Sequence, residues 1–266
     1  MNKQGLGSPT RKLPQGSARS YVRFAALGDS ATAGVGDRAD DSWRGWARLL
    51  ADSMAASHDV SFCNAAVPGA TAAQVRTHQL AIALEHRPHL ASLVVGINDV
   101  LRADWDAREF RGDLLFCADR LSEQGAVLAT VRFHDHGRVF GLPRPVRGFL
   151  TRRIDEVNGV YDEILARWDG IQLDLGAQPG IYEREFWCRD RLHPSELGHR
   201  AVAKECAEQL RTRGLAFEGP ALELDGDPTH LLRELRWAAT EAAPWLWRRA
   251  LDVTTALARP LVTRAS

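Results

Sequence analysis

Ser30 and the pair Asp190 and His193 stand where apolar runs give way to turns. Ser30 lies in Gly28-Asp29-Ser30, directly after Tyr21-Val22-Arg23-Phe24-Ala25-Ala26-Leu27, and Asp190-Arg191-Leu192-His193 is followed by Pro194. A serine hydroxyl becomes an effective nucleophile only when a base takes its proton. An imidazole, with an ordinary pKa of about 6.5, suits that task at neutral pH. An aspartate three residues before the histidine reaches the ring from the same turn, fixes its tautomer and stabilises the imidazolium. Of the nine histidines, His193 is the best placed. His199 falls one turn into the following helix as a packing or surface residue. His134 and His136 fall in a flexible loop with no acid held beside them.

Such chemistry is acyl transfer, and it needs donors for the developing oxyanion. The backbone N–H of Ser30 is one. The N–H of Gly69 is another, because a residue without a side chain lets the main chain approach a substrate closely. The side-chain amide of Asn98, in Gly96-Ile97-Asn98-Asp99, is the third. Alone, Gly69 is an ordinary turn glycine and Asn98 an ordinary turn or cap residue; their company gives them a role. Asp99 is expected to tie down its turn and Asn64 to bridge neighbouring loops.

The elements that must position these residues are visible as alternating periods. Short, continuous apolar runs at 21–27, 59–63, 90–95, 126–131 and 170–174 predict strands buried on both faces. Between them the apolar residues recur at helical spacing. Trp43, Trp46, Leu50 and Met54 follow an expected N-cap at Ser42; Phe110, Leu114, Cys117 and Leu121 precede Gly125. Ile154, Val157, Tyr161, Ile164 and Trp168 form a third stripe, and a helix over 195–213 is closed by Gly214. This α/β alternation predicts a doubly wound parallel sheet with helices on both faces, and places Ser30, Gly69 and Asn98 on the rim at the strands' carboxyl ends. Residues 132–149 are expected to be an irregular loop, as a lid, a binding loop or a mobile connection. The chain then divides into a flexible N-terminal segment 1–20, a catalytic domain 21–214, and a linker with a helical C-terminal extension over 215–266. Within that extension a helix is expected over 229–256. Its Trp237, Trp245 and Trp247 stand near Arg236, Arg248 and Arg249, a surface for packing, for a partner or for a membrane face.

Composition narrows the partners. The chain has 266 residues with 34 basic and 34 acidic side chains, so no excess charge points to nucleic acid. Cys63, Cys117, Cys188 and Cys206 form no CxxC pair, and neither a metal, a cofactor nor a disulfide is expected. The first 20 residues hold no apolar signal core, and no run suits a membrane span. A soluble, cytoplasmic chain acting on a small-molecule, lipid or carbohydrate ester is the expectation.

Four blocks in order resemble the SGNH (GDSL-like) hydrolases: Gly28-Asp29-Ser30, Asn64-Ala65-Ala66-Val67-Pro68-Gly69, Gly96-Ile97-Asn98-Asp99 and Asp190-Arg191-Leu192-His193-Pro194. The resemblance spans residues 21–210. It implies a three-layer α/β/α sandwich with a flavodoxin-like five-stranded parallel sheet. It also implies Ser30 as nucleophile, His193 as base, Asp190 as its orienter, and an oxyanion hole from Ser30, Gly69 and Asn98. The chain departs from the family string at Ala31-Thr32, where many members carry Leu, a position expected to line the approach to the serine. An α/β-hydrolase elbow is disfavoured because Thr32 replaces its second glycine, and Gly34-Val35-Gly36 lacks the third glycine of a dinucleotide-binding turn. Three readings follow: a serine ester hydrolase, a carbohydrate O-acetylesterase or acyltransferase on the same site, and a non-catalytic binding protein on a hydrolase fold.

Overall fold

Short, mainly apolar runs form strands, and five such segments build one sheet, covered on both faces along its inner strands. The segment 59–63, expected to be buried on both faces, lies at the edge and is only half-buried there. The five are β1 Tyr21–Gly28, β2 Asp59–Asn64, β3 Leu90–Val94, β4 Val127–Arg132 and β5 Gly170–Asp174. All pair parallel, in the order β2-β1-β3-β4-β5, the flavodoxin-like order. The computed structural model describes Leu13, residues 19–39 and residues 42–224. The helix expected over 229–256 and most of segment 1–20 lie outside the described residues.

Strand alternation feeds two cores. Val22, Phe24 and Ala26 of β1 pack with Trp46, Leu50 and Met54 of α1 (Gly45–Ala55) and with Val202, Cys206 and Leu210 of α5 (Glu196–Thr212). Ala25 and Leu27, on the other face, meet Val75, Leu114 and Ile154. These belong in turn to a second helix, to α3 (Ala107–Glu123) and to α4 (Arg144–Arg167). The second helix, α2, begins at Ala72–Gln74 behind a Thr71 cap, widens into a π-turn at Val75–Gln79 and resumes as α-helix over Leu80–His86.

Three sequence expectations are corrected. Ser42 does not cap α1: Ser42–Trp43 pairs antiparallel with Arg38–Ala39 as a short ribbon, and Arg44 stands at the cap position. The Trp43 ring lies under the Arg38 guanidinium at 5.6 Å rather than on the helix face. The stretch 132–149 is only briefly irregular. His136–Val139 forms a helical turn capped by the Asp135 side chain, and α4 starts at Arg144. Pro143 stands at the cap position and Pro145 in the first turn, where a proline lacks only an N–H that has no helical partner. His134 and His136 are accordingly buried, at 3% and 4% exposure.

Two side chains of α4 finish the strands above them. The Tyr161 hydroxyl accepts from Val95 N–H at 2.9 Å and donates to Val95 C=O at 2.7 Å. Asn158 does the same for Phe133, with Oδ1 accepting from N–H at 2.7 Å and Nδ2 donating to C=O at 3.0 Å. Past the last ladder bond these backbone groups would otherwise be buried without partners.

Candidate active site

The strand order reverses between β1 and β3, and ligands of such sheets bind outside the carboxyl ends at that point. Ser30 begins a single helical turn, Ser30–Ala33, immediately after β1. Asp29 caps that turn, its Oδ1 accepting from Ala31 N–H at 3.1 Å. His193 and Asp190 come from the far end of the domain, on a loop before α5. Its ends are pinned by Cys188 N–H donating to His193 C=O at 2.8 Å and by Ser195 N–H donating to Phe186 C=O at 2.9 Å. Arg191 takes a left-handed conformation, φ 57°, between Asp190 and His193. That turn lets both side chains face each other.

The structure brings the three together. The Ser30 hydroxyl lies 2.9 Å from His193 Nε2, and His193 Nδ1 lies 2.7 Å from Asp190 Oδ2. Asp190 Oδ1 accepts from Leu192 N–H at 2.9 Å and from His193 N–H at 3.1 Å. Burial alone would raise the Asp190 carboxyl, but the bond to His193, its charge and these backbone donors outweigh it and hold the group below the usual 3.8. An ionised Asp190 keeps the proton on Nδ1, so Nε2 is left to accept from Ser30.

The oxyanion candidates sit on adjoining turns. Val67 to Ala70 is a tight turn closed by Ala70 N–H donating to Val67 C=O at 3.1 Å, with Pro68 second and Gly69 third at φ 81°. That is the type II arrangement, which places glycine where the backbone must be left-handed. The N–H groups of Ser30 and Gly69 donate to no acceptor among the described residues. Asn98 is 3% exposed, and its Nδ2 already donates to Asp29 Oδ2 at 3.3 Å and to Ala70 C=O at 3.1 Å. Its two hydrogens are therefore committed in this state, the weaker bond being that to Asp29. Asp99 also ties down a neighbouring loop, accepting from Ala72 N–H at 3.1 Å. Asn64 bridges loops, its Nδ2 donating to Thr32 C=O at 3.0 Å. Burial raises the Asp29 carboxyl to about 6 and that of Asp99 to about 7, each strongly desolvated and Asp99 further raised by Asp29.

Around this frame several side chains lie that sequence reasoning did not single out. Asp37, 1% exposed, holds the Arg44 guanidinium at 2.9 Å, and Arg44 reaches Glu196 at 3.0 Å, tying the loop after Ser30 to the start of α5. Gly36 packs directly beneath Pro194, where a Cβ would come within 2.0 Å of the Pro194 carbonyl oxygen. His199 is a packing residue: buried, accepting from Trp46 N–H at 3.1 Å and within 3.0 Å of Val35 C=O. His134 stacks on His136 at 3.9 Å and lies tilted against the Trp187 ring at 4.9 Å, and neither of its ring nitrogens has a hydrogen-bond partner among the described residues. Of the pair Ala31-Thr32 expected at the approach to the serine, Thr32 is wholly buried and Ala31 half-buried. A cavity of about 370 Å³ opens beside Gly69, lined by Asp99, Arg102, Trp105 and Phe110 among others. Among the described residues no three His, Cys, Asp or Glu side chains converge as metal ligands, and no helix is long and apolar enough to cross a membrane.

Solved structures share this fold. A lipase/acylhydrolase from Enterococcus faecalis is 25% identical, covering 75% of this chain and 99% of its own, with a TM-score of 0.57. TesA is 22% identical, covering 72% and 99%, with a TM-score of 0.58. A variant of the acetyl xylan esterase Axe2 from Geobacillus stearothermophilus is 17% identical over 77% and 99%, with a TM-score of 0.57. No curated protein sequence matches the chain. The profile of the GDSL-like Lipase/Acylhydrolase family matches residues 26–201, the span that carries the turns of Ser30, Gly69 and Asn98 and the loop of Asp190 and His193. The chain belongs to that family of ester hydrolases.

Proposed function

We propose that the protein is a serine carboxylic ester hydrolase working through an acyl-enzyme. The observation that carries this is the continuous chain of hydrogen bonds from Ser30 through His193 to Asp190. Ser30 Oγ attacks the ester carbonyl carbon while Nε2 of His193 takes its proton. The carbonyl oxygen becomes an oxyanion that receives the N–H groups of Ser30 and Gly69. Asn98 joins them by exchanging its 3.3 Å bond to Asp29 for one to the oxyanion. Collapse of the tetrahedral adduct breaks the bond to the alcohol oxygen, which leaves with the proton from Nε2. A water then attacks acyl-Ser30, gives its proton to Nε2, and the second collapse frees the acid and restores Ser30.

A second reading, deacetylation of a polar alcohol such as a carbohydrate, is favoured by the cavity beside Gly69, whose walls combine Trp105 with Asp99 and Arg102. Hydrolysis of p-nitrophenyl acetate and octanoate by wild type and Ser30→Ala tests the first reading. A loss of at least 10³-fold in the variant is expected, and unchanged turnover overturns it. Turnover of acetylated sugars above that of p-nitrophenyl octanoate would favour the second.

A further inference from the structure

Gln79 is the polar member of an otherwise apolar stripe on α2, flanked on the buried face by Ala72, Val75, Leu80 and Ala83. It is 2% exposed. A carboxamide in such a place must satisfy a donor and an acceptor or destabilise the fold. Gln79 satisfies both on one residue: its Oε1 accepts from Gly28 N–H at 2.8 Å and its Nε2 donates to Gly28 C=O at 2.8 Å. Gly28 is the last residue of β1, two before Ser30.

The reason for this pairing lies in the sheet. Ala26 uses its carbonyl on the β2 side, accepting from Ala65 N–H at 2.9 Å, and backbone groups two residues apart in a strand point the same way. Gly28 therefore faces β2 as well, yet the β1–β2 register ends at Ala26 opposite Asn64. Val67 N–H reaches the Gly28 carbonyl only at 3.3 Å, and the Gly28 N–H has no strand partner. The amide of Gln79 supplies the missing peptide group. It prolongs the ladder by one position on the side where β2 has turned away towards Gly69. The π-turn over Val75–Gln79 ends at this residue, and single π-turns of this kind recur at functional sites.

We infer that Gln79 is a positioning residue for the nucleophile: by standing in for a strand residue opposite Gly28 it fixes the end of β1 from which Ser30 is presented to His193. This rests on the proposed role of Ser30. The side chain touches neither Ser30 nor His193, so its effect is on geometry. A displacement of the order of 1 Å at a reacting atom costs about 10²-fold in rate.

The test uses the full chain with p-nitrophenyl acetate and, in parallel, the rate at which a fluorophosphonate labels Ser30. Gln79→Leu removes both bonds at similar volume and is expected to lower kcat about 10- to 100-fold with KM unchanged. Gln79→Glu provides the discriminating readout. A protonated carboxyl has one donor and one acceptor, as the amide does, whereas a carboxylate has no donor for the Gly28 carbonyl. The activity of Gln79→Glu relative to wild type should therefore be close to one at pH 5 and fall as pH rises and the carboxyl ionises. The Gln79→Leu ratio should stay low and flat. Both variants at wild-type kcat overturn the inference, and so does a Gln79→Glu ratio that does not change with pH. If Gln79→Leu fails to fold, the Gln79→Glu profile decides. Failure of the Ser30 reading is separable: there Ser30→Ala keeps its turnover, whereas here Ser30→Ala is inactive while the Gln79 variants match wild type.

Discussion

Replacing Asp190 with asparagine should abolish the base without disturbing the loop that carries it. The two carboxylate oxygens have different partners: Oδ1 accepts two backbone N–H groups at 2.9 and 3.1 Å, and Oδ2 receives Nδ1 of His193 at 2.7 Å. Asparagine has one carbonyl oxygen, and the Leu192 and His193 amides both demand it. The flipped rotamer would aim an NH₂ at two donors and leave both without acceptors, at about 1–3 kcal/mol each. The NH₂ must then face Nδ1 and donate to it, which forces the ring hydrogen onto Nε2. A protonated Nε2 cannot accept from Ser30. The expected loss is about 10⁴-fold in kcat, or about 5.5 kcal/mol of barrier. Folding should be nearly intact, because the two backbone bonds survive. The assay is kcat on p-nitrophenyl acetate beside thermal unfolding of the same preparation. An Asp190→Asn enzyme within tenfold of wild type would refute the tautomer argument. A crystal structure showing the amide oxygen against Nδ1 would do the same.

Two further outcomes follow from the site's surroundings. Gly36→Ala places a methyl within 2.0 Å of the Pro194 carbonyl and 2.8 Å of Cys188 Sγ, so the His193 loop must move; kcat should fall about 10²-fold, more than KM changes, as steady-state kinetics would show. Burial raises Asp29 from 3.8 to about 6, so the folded chain keeps a proton that the unfolded chain releases. Its stabilising contribution is full below about pH 4 and lost as pH rises through about 6. Urea unfolding across pH 4 to 8 should show wild type losing of the order of 3 kcal/mol relative to Asp29→Asn over that window, and parallel curves would contradict it.

Most of the sheet was legible because its inner strands are covered on both faces, and apolar runs there leave little choice of element. The edge strand β2 is only half-buried, yet all five appear within one residue of the expected ends. Ser30, His193 and Asp190 were legible for a similar reason, since each is chemically distinctive at the end of an element. What escaped the sequence depends on contacts across the chain. Helix α2 drew no expectation because the π-turn spaces its buried residues irregularly, at Ala72, Val75, Gln79, Leu80 and Ala83. Trp43 has the spacing of a helix face, but its ring is used by Arg38 on the ribbon. Gln79 carries its signal only as a polar residue on an apolar stripe, and its partner lies 51 residues away. The commitment of the Asn98 hydrogens to Asp29 and Ala70 likewise joins three separate turns.

Tyr161 and Asn158 stand one turn apart on α4 and cap the chain where it leaves β3 and β4. The stretches that leave the sheet past Val95 and Phe133 therefore start from ends already sealed from below. They can lengthen or change composition without fraying a strand, and loop closure adds only about 0.6 kcal/mol for each doubling of length. The helix thus serves as a chassis with plugged sockets. The loops beyond these two ends can be exchanged while the sheet beneath keeps its shape.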